Sequence, residues 1–156
     1  MDNSTAGPLH AYLAGTGRDG QGRLAADVLG YPDERLEEVH DYIQWLFPLP
    51  TRSGAQPEAP VLTQVEIEAI RADRSAQDTL KRAAERMLRF YQDAHWWLTS
   101  YDHNHLRITR IIHSLRILTG PEEAQRFHRI ILDLNGGAGS PVNARSLEYW
   151  SDAAGA

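Results

Sequence analysis

The sequence predicts an all-α fold, a compact bundle of five to six helices with one proline-rich connecting loop. Three observations carry that prediction. Apolar residues recur three and four positions apart along most of the chain, the period of a helix with one buried face. No stretch alternates apolar and polar residues for more than a few positions, as a half-buried strand would. The segment PLPTRSGAQPEAPVL, residues 48–62, holds four prolines and a glycine and must be a loop between helices.

Taken in order, residues 1–30 are weakly patterned, with Gly15, Gly17, Gly20 and Gly22 breaking any long helix. Short helical turns are expected near Pro8 to Leu13 and Leu24 to Leu29. Residues 31–156 are expected to form a single helical domain. Its first helix is predicted from Asp33 to Phe47, with Leu36, Val39, Ile43, Leu46 and Phe47 as the apolar stripe and Pro48 as the stop. Thr63 followed by Glu66 predicts a capping box, each side chain bonding the other's backbone, at the start of a short helix ending near Asp73. Ser75 is expected to cap a long helix reaching Leu98, with Leu80, Ala83, Ala84, Met87, Tyr91, Ala94 and Leu98 facing the core. Arg82, Arg86 and Arg89 are assigned to the far side, with Asp78 four residues from Arg82 and with Glu85 and Asp93 each four residues from Arg89.

The fourth helix is predicted from His103 to Leu118, with Ile108, Ile111, Ile112, Leu115 and Leu118 buried. Gly120 stops it. Pro121, Glu122 and Glu123 suit the first turn of the next helix, whose buried stripe is Ala124, Phe127, Ile131 and Leu134. NGGAGS is expected to be a flexible break, followed by a last helix from Ser140–Pro141 to Trp150.

Composition excludes several classes. The chain has 156 residues, enough for one ordinary domain that needs no metal or disulfide to hold it. There is no cysteine, so thiol catalysis, cysteine zinc sites and disulfides are excluded. The formal net charge of −5 argues against a bulk nucleic-acid partner. No basic run precedes an apolar core at the N-terminus, and no apolar run approaches the roughly 20 residues of a membrane span. A cytoplasmic location is the expectation. No phosphate loop and no G-x-S-x-G elbow is present, and no cofactor is expected.

Three segments then resemble a known family. HDYIQWLFPLP, APVLTQVEIEAI and NHLRITRIIHSL, with RMLRFY and a closing SLEYW, are similar in order and spacing to the conserved region of the opioid growth factor receptor family. The resemblance covers Leu36 to Trp150. It implies a receptor-like domain, described in animals as binding an enkephalin peptide and associated with nuclear and perinuclear membranes. The long repetitive C-terminal region of the animal proteins is not in this sequence, and the Ala- and Arg-rich composition suits a bacterial source.

Candidate site residues come in two groups. On a continuous first helix, Trp45 falls opposite the apolar stripe, in line with Asp41, with His40 and Gln44 on the flank. Either the loop 48–62 folds back over the indole, or Asp41, Gln44 and Trp45 line a pocket in which the indole is the platform. The second group is His103, Asn104, Arg107 and Arg110. The run DHNH offers Asp102, His103 and His105 as oxygen and nitrogen donors, but alternate positions on a helix diverge, so no metal is expected and capping by Asp102 or Asn104 is the simpler reading. His103, Arg107, Arg110 and Ser114 share one stripe, which would either pair with acids such as Asp41 or grip an anion.

The resulting expectation is a non-enzymatic module for a small anionic ligand or a peptide or protein partner. The alternative is a small enzyme or binder for a phosphorylated or nucleotide-like ligand, using Arg107 and Arg110. A third option is a homo-oligomer joined through Trp96, Trp97 and Trp150.

Overall fold

The structure, a computed structural model, describes residues 5–155. Among them the chain is helical without strands, as expected, but forms nine helices rather than five or six. They are α1 (Pro8–Leu13), α2 (Ala25–Leu29), α3 (Asp33–Glu38), α4 (Ile43–Leu46), α5 (Gln64–Ala72), α6 (Arg74–Asp93), α7 (Asn104–Leu118), α8 (Pro121–Gly137) and α9 (Ala144–Ala154). The larger number comes from the two turns of the N-terminal segment and from a break in the expected first helix. The chain packs as two compact units, one up to Ala83 and one from Ala84 onward.

In the first unit, the helix expected from Asp33 to Phe47 is two helices. Val39 is extended, with φ −86° and ψ 128°. The carbonyl of Leu36, which a longer helix would bond to a backbone N–H, instead accepts the hydroxyl of buried Tyr42 at 2.6 Å. The break lets Tyr42, Ile43, Gln44, Leu46, Phe47, Pro48 and Leu49 all be buried. One continuous amphipathic helix has room for only a single buried stripe.

α1 packs against α4 and α5. Leu9, Tyr12 and Leu13 are fully buried, and the two leucines each contribute about 1.5–3 kcal/mol by leaving water. At α5 only half of the capping box forms. Thr63 Oγ1 accepts the Glu66 N–H at 3.1 Å, but the Glu66 carboxylate turns to α1 and accepts the His10 N–H at 3.0 Å. A Cβ at Gly7 would sit 2.6 Å from Glu66 Oε2, so only glycine leaves that approach open. His10 Nε2 meets Asp73 Oδ2 at 2.8 Å while its Nδ1 accepts the Ala6 N–H at 3.0 Å.

α6 is capped by Asp73, whose Oδ1 accepts the N–H groups of Ser75 and Ala76, rather than by Ser75. It ends at Asp93, five residues before Leu98. The cause is Trp97, whose indole N–H donates to the carbonyls of Tyr91 at 3.0 Å and Ala94 at 2.9 Å. Those are carbonyls that a helix end leaves without backbone partners. Of the residues assigned to the solvated face, Arg82 pairs with Asp78 at 2.7 Å, but Glu85 pairs with Arg126 on α8 and Arg86 is buried.

The second unit is built around α7, which packs against α8 and α9. Its expected stripe, Ile108 to Leu118, is fully buried. α8 continues through Gly136 and Gly137, so NGG is helix rather than a break. α9 starts later than expected, at Ala144, where Asn143 Oδ1 accepts the Ser146 N–H at 2.8 Å. Trp97 and Trp150 are fully buried with ring centroids 6.5 Å apart. The Trp150 indole N–H donates to the His105 carbonyl at 2.9 Å. These two tryptophans are core and not an oligomer interface; of the three named for that role, only Trp96 is exposed.

Candidate functional site

The first group of candidate residues lies in the first unit. Trp45 is half-buried, its ring 5.4 Å from that of Tyr12 and tilted by 60° to it. It forms one wall of a cavity of about 180 Å³ lined by Gly20, Gln21, Asp41, Gln56, Glu58 and Ala59. Gln56, Glu58 and Ala59 of the loop 48–62 therefore line the same cavity as the indole. Asp41 and Trp45 share this cavity although the continuous helix that put them in line does not exist. His40 is exposed, and Gln44 is buried with Oε1 lacking a hydrogen-bond partner.

Asp41 has a partner within the first unit. Its Oδ1 accepts from Arg23 Nη2 at 2.8 Å. Arg23 is bracketed, because its Nε also donates to Asp19 Oδ2 at 2.7 Å. Asp19 Oδ1 accepts the N–H groups of Gln21 and Arg23, closing the glycine-rich turn. The Asp19 side chain is completely buried. Burial disfavours the charged guanidinium, but bonds to Asp41 and Asp19 prevail and raise the Arg23 pKa further. Sequence reasoning missed Asp19 and Arg23. The only available signal was D-x-x-x-R set among glycines, where neither helical nor strand periodicity applies.

The second group lies in the second unit. Asn104 is fully buried; its amide nitrogen donates to Asp102 Oδ1 at 2.9 Å and its Oδ1 accepts the Tyr91 hydroxyl at 3.3 Å. Asp102 Oδ1 also accepts the Asn104 N–H at 2.9 Å. His105 is buried with Nε2 against the Trp97 carbonyl at 2.8 Å, whereas His103 is exposed. The DHNH run is thus spread between capping, core and surface, and among the described residues no group of three metal-ligating side chains occurs. Arg107 is buried and Arg110 half-buried. Burial pushes the Arg110 guanidinium down to about 10, which still leaves it charged at neutral pH. Tyr101, His103, Leu106, Arg145 and Tyr149 line a wide groove of about 500 Å³ in this unit.

These features define an all-α module with a small acidic cavity beside a tryptophan. Residues 30–94 match the family described as the opioid growth factor receptor conserved region. It is 39% identical to the rat opioid growth factor receptor, in a match covering 60% of this chain and 20% of the relative. The mouse receptor is 41% identical over 60% of this chain and 18% of its own. Mouse opioid growth factor receptor-like protein 1 is 36% identical over 53% and 21%. The chain therefore spans about a fifth of the length of these curated relatives. No solved structure matches. No helix among the described residues is long and apolar enough to cross a membrane.

Proposed function

We propose that the chain is a non-enzymatic binding module of the opioid growth factor receptor type, with its site at the Trp45 cavity. The supporting observation is that the half-buried indole and Asp41, both within residues 30–94, the region the family model matches, line one small cavity. Gln56, Glu58 and Ala59 belong to the same region, while Gly20 and Gln21 come from outside it. The relatives are named as receptors, and a receptor role here is carried over from that name through the shared region.

The test is a titration of isotope-labelled protein with peptides, nucleotides and inorganic phosphate, following the Trp45 indole N–H and the amides of Gly20 and Gln21. Saturable shifts confined to this cluster support the reading. Saturable shifts near Arg107 and Arg110 with nucleotides or phosphate, leaving Trp45 unmoved, would replace it with the anion-binding alternative.

A further inference from the structure

We infer that the Trp45 cavity takes a cation, a primary ammonium on a short alkyl stem; this rests on the cavity being the binding site. Three observations point the same way. First, the walls carry two carboxylates and no cation: Asp41 and Glu58 line the cavity with Trp45, Gln21, Gln56 and Ala59. Arg23, the guanidinium nearest in the network, is held by Asp19 and Asp41. Arg18 and Arg52 donate to the carbonyls of Gly22 and Pro57, next in sequence to the lining residues Gln21 and Glu58, but neither lines the cavity. A ligand inside the cavity therefore meets carboxylates at the wall, which favour a cation over an anion.

Second, the bond from Arg23 occupies Asp41 Oδ1, and the Asp41 side chain keeps 32% of its exposure, so Oδ2 remains able to accept. Third, the indole presents an aromatic wall, whose ring quadrupole attracts a cation. A volume of about 180 Å³ accommodates an ammonium and a few methylenes rather than a nucleotide. Gln21 and Gln56 supply amide oxygens for N–H donors that the carboxylates leave unsatisfied. The ligand class is thus opposite in charge to the one expected for Arg107 and Arg110.

The probes are n-butylammonium, n-butanol and butyrate, which share shape and differ in charge, read out by the Trp45 indole N–H and by circular dichroism as a folding control. Butylammonium is expected to bind with a Kd of about a millimolar and to weaken as salt shortens the screening length. Glu58 is exposed, so Glu58→Gln should leave the fold intact and weaken butylammonium by about fivefold or more. Trp45→Leu, read at the Gly20 and Gln21 amides, should weaken it by about threefold.

Equal binding of butanol or butyrate would overturn the cation assignment while leaving the cavity as a site. Butylammonium binding indifferent to both Glu58→Gln and Asp41→Asn would also overturn it. No response to any probe, with peptides also silent, would remove both the cation and the site. A final arm separates the sources of the ammonium. Tighter binding of a short lysine peptide than of butylammonium identifies a protein side chain, and the reverse identifies a free amine; either supports the inference.

Discussion

Trp97 and Trp150 in the second unit are fully buried, and each indole N–H ends on a main-chain carbonyl. Trp45 in the first unit is half-buried, leans on Tyr12 and faces a cavity bounded by carboxylates. The difference separates two uses of one side chain. An indole with its donor satisfied and no exposed face holds structure. An indole with an accessible face beside carboxylates has the setting for the binding role proposed above.

The sharpest way to break this comparison is by truncation. Trp97→Ala should cost about 3–5 kcal/mol, because it empties a core site and strands the carbonyls of Tyr91 and Ala94. Trp45→Ala should cost about 1–2 kcal/mol, the loss of partial burial alone. Denaturant midpoints measure both, and equal losses would show that Trp45 is as structural as Trp97.

Next in size is the network beside the cavity. Arg23→Ala leaves the buried Asp19 carboxylate and Asp41 without their cation and should cost about 3 kcal/mol. The double variant with Asp41→Ala should lose less than the sum of the two single changes. Additive losses in chemical denaturation would separate the pair energetically and leave the cavity without a rigid wall.

A smaller effect depends on pH and belongs to the second unit. Burial, with the charges of Arg116 and Arg110, holds His113 below its ordinary 6.5, and burial does the same for His128. A depressed folded pKa means the unfolded chain binds the proton more readily. The stability these groups contribute is full above pH 6.5 and falls as the pH drops through their folded values. Thermal melts between about pH 7 and pH 5 should show the decline, and His113→Gln with His128→Gln should flatten it. In the first unit, Asp73 is lowered because bonds from His10, Ala76 and Ser75 outweigh the cost of burial, so its contribution fades only at more acid pH, below 3.8. The smallest effect is at Arg82, whose partner Asp78 is solvated as well. Arg82→Ala should change stability by less than about 0.5 kcal/mol.

Periodicity exposed much of the fold. The stripe Ile108 to Leu118 and the start of α5 at Thr63 follow from spacing and capping chemistry. Even the short helices Pro8–Leu13 and Ala25–Leu29 could be read between the glycines. What stayed hidden was decided by single side chains reaching backbone groups: Tyr42 on Leu36, Trp97 on Tyr91 and Ala94, Glu66 on His10. Such contacts leave no period. Of the candidate site, Asp41 and Trp45 were legible as neighbours, whereas Arg23 and Asp19 were not, because a turn without regular geometry gives no register from which to place them.

Glu66 also determines where the chain can be cropped. Family similarity starts at residue 30, yet this carboxylate is 2% exposed and its described donor is the His10 N–H. A fragment trimmed to the matched region would keep the acid and discard the group that bonds it. It would also uncover the faces of α4 and α5 on which α1 rests. A piece that keeps α1 and this bond therefore begins no later than Gly7, more than twenty residues before the boundary that resemblance marks.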